Sequence, residues 1–126
     1  MNFHTKAVNK AYDIFLDICK HENIEYEEAD NIVMSIDGNL CSGLYHFTQS
    51  EITGKYHTDK SKITVVKDKM KNMMLLTFVH ELGHHFAIKK EADRSEKRAD
   101  EIRKELFLKK LPLWCRWCLF IEISIL

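Results

Sequence analysis

Apolar residues recur at helical spacing near the start of the chain. Ala7, Ala11, Ile14, Phe15 and Ile18 fall on one side, with Lys10, Asp13 and Asp17 mostly opposite. The spacing predicts a first helix from about Lys6 to His21, and the acidic stretch Glu22 to Asp30 reads as a linker or short helix. From Asn31 the periodicity changes. Ile32-Val33-Met34-Ser35-Ile36 is β-like, Asp37-Gly38 is a hairpin-type turn signal, Leu40 to Phe47 makes a second strand and Gly54 marks a bend. Lys62-Ile63-Thr64-Val65-Val66-Lys67 is the clearest strand, β-branched and framed by lysines. Helical periodicity returns near Lys69 and runs to about Lys89, with Met70, Met73 and Met74 read as gap-filling core residues. A further helix starts near Ser95, a good N-cap, and passes through Ala99, Ile102, Leu106 and Phe107 until Pro112 stops it. The order helix, sheet, helix, helix predicts an α+β fold. Its small antiparallel or mixed sheet, of about three strands, would pack against the second helix and its neighbours within a single domain spanning 1–126.

Composition narrows the function classes. A chain of 126 residues with 45% apolar content can fill one core. Lys+Arg and Asp+Glu both total 19, a balance that argues against direct nucleic-acid binding. Cys19, Cys41, Cys115 and Cys118 are too widely spread for a small disulfide scaffold, and Cys115-x-x-Cys118 lacks a second ligand pair that would make it a metal site. The first residues have no apolar signal-peptide core, and no window reaches the ~20 apolar residues of a membrane helix. The expectation is a cytoplasmic protein with reduced thiols and no membrane partner.

The chemistry lies in the second long helix. His80-Glu81-Leu82-Gly83-His84 has the pattern His-Glu-x-x-His. Residues at i and i+4 share one helix face, so both imidazoles can converge on one zinc ion, with Glu81 beside it as the proton acceptor. Gly83 leaves the surface between them bare, so that another element can approach. A third protein ligand is needed, and Glu91, Asp93, Glu96, Asp100 and Glu101 are the downstream candidates. Glu96 is the best placed, at the start of a helix that can fold back on the first. Asp100, one turn on, can accept a hydrogen bond from a liganding imidazole and set its tautomer. His85 points about 100° away around the helix and reads as a core or supporting residue.

Phe78-Val79-His80-Glu81-Leu82-Gly83-His84-His85, followed by Ser95-Glu96-Lys97-Arg98-Ala99-Asp100, resembles the ImmA/IrrE family of zinc metallopeptidases. Those proteins combine a helical HELGH with a Glu-x-x-Ala-Asn/Asp segment on the next helix. The resemblance implies a minimal zincin-like domain with zinc on His80, His84 and Glu96, Glu81 as catalytic base and Asp100 in support. It also implies a link to mobile elements or stress responses, and a protein substrate such as a separate helix-turn-helix repressor. The segment Leu111-Pro112-Leu113-Trp114-Cys115-Arg116-Trp117-Cys118 departs from the family's usual continuation.

The expected activity is therefore that of a zinc-dependent endopeptidase, a hydrolase of intracellular regulatory type. A catalytically weak zinc-containing binding protein of the same fold is the alternative, and a non-peptidase zinc hydrolase a third reading. Tyr45, His46, Tyr56 and His57 are candidate oxyanion donors with no spacing to select among them. A substrate peptide could add as a strand along Lys62 to Lys67.

Overall fold

The β-branched run Ile63 to Val66 lies at the centre of the sheet, with Ile63 and Val65 completely buried. The structure is a computed structural model that describes residues 2–35 and 37–126; Ile36, expected at the end of a strand, lies outside them. In chain order the elements are α1 (Phe3–His21), β1 (Glu25–Ala29), β2 (Val33–Met34), β3 (Leu40–Cys41) and β4 (Gly43–Gln49). They continue with β5 (Tyr56–Val66), α2 (Lys71–Glu91), α3 (Glu96–Lys110), α4 (Leu113–Cys118) and α5 (Phe120–Ser124). This is a small α+β fold. A mixed three-stranded sheet has the order β1-β5-β4, and β2 and β3 form a separate hairpin.

The acidic segment after α1 is a strand rather than a linker or helix. β1 runs parallel to β5, with Tyr26 opposite Ile63 and Ala29 opposite Val66. Tertiary contacts override its local character. The Tyr26 ring packs 4.7 Å from that of Phe78 on α2, while Glu27 pairs outward with Lys62 at 2.8 Å. The expected strand Leu40 to Phe47 breaks at Ser42, giving β3 in the small hairpin and β4 in the main sheet. Gly38 (φ +82°) and Gly54 (φ +72°) occupy the two turns, where a side chain would be strained.

Helix α1 begins on Asn2, whose side chain accepts from the Thr5 amide at 2.7 Å. Its face of Ala7, Ala11, Tyr12 and Phe15 is buried, and Phe15 meets Phe107 of α3 edge-on at 5.5 Å. Helix α2 is apolar around most of its circumference because the sheet, α1 and α3 all pack against it. Of its methionines only Met74 enters the core. Met70, just before the helix, and Met73 are 56% and 45% exposed, which corrects their assignment as gap-fillers. Cys115 and Leu119 anchor the C-terminal helices in the core, and all four cysteines are free thiols. No described helix is long and apolar enough to cross a membrane.

Candidate metal centre

The His-Glu-x-x-His segment lies in the middle of α2, so His80 and His84 stand one turn apart, their rings 4.8 Å between centroids and nearly perpendicular. Helix α3 folds back onto this face. Ser95 caps it by accepting from the Arg98 amide at 3.2 Å, which places Glu96 in its first turn. The return is tight because Gly83 has no side chain: a Cβ there would collide with the Ala99 carbonyl. The bare surface expected at Gly83 is thus filled by the backbone of α3.

Both imidazoles converge on one carboxylate oxygen. His80 Nε2 lies 2.6 Å and His84 Nε2 2.9 Å from Glu96 Oε2. One ligand atom from each of the three residues fits within 4.8 Å of the others, the only such group of His, Cys, Asp or Glu side chains among the described residues. On the far side of His80, Nδ1 lies 2.7 Å from Asp100 Oδ1. A carboxylate only accepts, so Nδ1 donates to Asp100, and Nε2 is the nitrogen that faces Glu96. A lone pair against a carboxylate oxygen at 2.6 Å is repulsive unless a proton or a cation lies between them. Two imidazole nitrogens and one carboxylate oxygen are a donor set that zinc takes in open sites, so the residues fit the metal.

The electrostatics agree with ligand chemistry. Burial disfavours the His84 imidazolium and outweighs the attraction of Glu96, so its pKa falls and the ring favours the neutral form. Burial opposes ionisation of Glu96, but His84 and the hydrogen bonds of both imidazoles overcome it and hold the carboxyl below its ordinary range. Glu81 is different. It is buried and not among the grouped ligand atoms, and burial pushes its pKa up to about 7, against the opposing pull of His80. A cation at the triad would lower that value.

Two residues of this region carry no signal in the local pattern. Gly43 opens β4 directly against Glu81: a Cβ there would stand 2.5 Å from Thr77 Cγ2 and 3.2 Å from Glu81 Oε2. Arg103 on α3 donates to the Leu76 carbonyl of α2 at 3.2 Å and lies 3.3 Å from Asp100 Oδ1, bracing the carboxylate that holds His80.

A cavity of about 260 Å³ adjoins the triad, walled by the β2–β3 hairpin, the start of β4, Glu81, His84, Arg94 and Glu96. Of the candidate oxyanion donors only Tyr45 lines it, and its hydroxyl is engaged: it donates to His85 Nδ1 at 2.6 Å, while His85 Nε2 donates to Glu22 at 2.8 Å. His85 is therefore a buried support between α1, α2 and β4, as its helical position suggests. His46 bonds Thr64 at 3.0 Å, the Tyr56 ring packs on Phe47, and His57 is exposed; none of the three lines this cavity. Lys62 to Lys67 cannot receive a peptide strand, because β5 is paired on both sides. The open edge beside the site belongs to β4. No protein-family model, curated protein or solved structure matches the chain significantly.

Proposed function

We propose that the chain is a zinc-dependent endopeptidase of the ImmA/IrrE type, acting in the cytoplasm on a protein substrate such as a helix-turn-helix repressor. The observation that carries this reading is the convergence of His80 Nε2 and His84 Nε2 on Glu96 Oε2, with buried Glu81 beside it and outside the ligand set. Four free thiols accord with a reducing compartment.

A zinc ion held by His80, His84 and Glu96 would supply a Lewis acid for the scissile carbonyl and acidify a water molecule. Asp100 accepts from His80 Nδ1 and so turns Nε2 toward that role, and Arg103 keeps Asp100 in place. Glu81 accepts one proton of the attacking water and returns it to the amine nitrogen as the C–N bond breaks. Gly43 lets the β4 edge pass close to Glu81, so a peptide paired to that edge would bring its backbone to the base.

The test is co-expression of the chain with a candidate repressor. Zinc-loaded wild type is expected to cleave it, and Glu81→Gln to keep the zinc and lose cleavage. Partner binding with zinc present and no cleavage by either version would instead identify a regulatory binding protein.

A further inference from the structure

Arg94, in the turn between α2 and α3, is the only lysine or arginine among the described residues lining the cavity beside the triad. A second cavity of about 450 Å³ shares Asp37, Tyr45, Phe47 and Arg94 with it and continues along β4 to Gln49. The Arg94 guanidinium lies over the Phe47 ring, 5.6 Å from its centroid. Among the described residues it has no hydrogen-bonding or ion-pair partner, and no ion pair joins it to Asp37 on the hairpin wall. By contrast Arg98, four residues on, is committed to Glu91 at 2.9 Å. Phe47 itself sits at a break in the β4–β5 register, where His46 pairs with Lys62 but Thr48 with His57.

An arginine held over a ring by a cation–π contact keeps its N–H donors available, and a guanidinium can receive a carboxylate through two parallel hydrogen bonds. We infer that Arg94 is a specificity-determining residue that captures a carboxylate of the bound peptide, remote from the bond that is cut. The spacing follows from the strand. Gly43 adjoins Glu81, and Phe47 is four steps along β4, about 13 Å at the rise of an extended chain. A peptide paired to the β4 edge therefore presents to Arg94 a residue three or four positions from the scissile bond. The carboxylate is either an Asp or Glu side chain there or the peptide's own C-terminus. This inference rests on the peptidase reading above.

The experiment digests a pool of randomised dodecapeptides, N-terminally blocked and either amidated or free at the C-terminus, with cut sites read by mass spectrometry. Zinc-loaded wild type is expected to enrich Asp and Glu over Asn and Gln about tenfold at one position, the effect of one charge-assisted hydrogen bond. Enrichment in the amidated pool identifies a side-chain carboxylate; cuts confined to the free-acid pool, at a fixed distance from its end, identify the C-terminus. Arg94→Ala should lose the preference, and Arg94→Glu should shift it toward Lys and Arg at the same position, with zinc content unchanged in both. Cleavage without an acidic preference, or a preference retained in Arg94→Ala, overturns the role of Arg94 alone. A pool left whole by the zinc-loaded wild type overturns the peptidase reading and this inference with it.

Discussion

Asp100 Oδ1 lies 2.7 Å from His80 Nδ1, on the side of the ring opposite the Nε2 that faces Glu96. One carboxylate therefore decides which nitrogen of His80 is free to ligate. Because Asp100 is one helical turn from Glu96, α3 carries both a candidate ligand and the group that orients another.

Asp100→Asn is expected to weaken zinc binding about 10–100-fold, the usual cost of removing such an outer partner. Arg103→Met should weaken it less, and should add little in an Asp100→Asn background, because Arg103 acts through Asp100. Competition with a chromophoric chelator measures all three. Full multiplication of the two effects would show that Arg103 acts by another route.

Gly83→Ala tests the approach of the two helices. At an unhindered helical position the change would stabilise by about 1 kcal/mol. Here the new methyl meets the Ala99 carbonyl, so a loss of about 1–3 kcal/mol is expected, together with weaker zinc binding as α3 moves off. Urea unfolding of the metal-free chain separates the two consequences.

Much of this arrangement is legible in the sequence because it is local. His80 and His84 are one turn apart on a single helix, and Ser95 announces the helix that carries Glu96 and Asp100. What escapes is what only tertiary contacts decide. Glu25 to Ala29 is acidic and exposed on one face, so it reads as a surface segment; its strand exists because the edge of β5 needs a partner and Tyr26 reaches Phe78. That same pairing closes Lys62 to Lys67 to a substrate and leaves β4 as the accessible edge. Gly43 and Arg103 carry no periodic signal, since their importance lies in neighbours 38 and 27 residues away, Glu81 and Leu76.

The polar tie behind the site gives a pH prediction. Burial opposes ionisation of Glu22, but its hydrogen bonds with Lys89 and His85 outweigh this and hold its pKa below the ordinary value. A depressed carboxylate pKa contributes stability above its unfolded value of about 4.3, and that stability is lost as pH falls through the folded value. Glu22→Gln should therefore be about 1–3 kcal/mol less stable than wild type at pH 7. The gap should narrow as the pH falls below about 4. Denaturant unfolding of the metal-free proteins across that range checks it; a gap independent of pH would contradict the role given to the charge.

The most direct measurement is the metal content of the purified chain and three variants by inductively coupled plasma mass spectrometry. About one zinc per wild-type chain is expected, lost in His80→Ala and Glu96→Ala and retained in Glu81→Gln, because Glu81 stands beside the donor set without belonging to it. Full zinc occupancy in Glu96→Ala, or a wild-type chain that takes up no zinc, would contradict the assignment of this site.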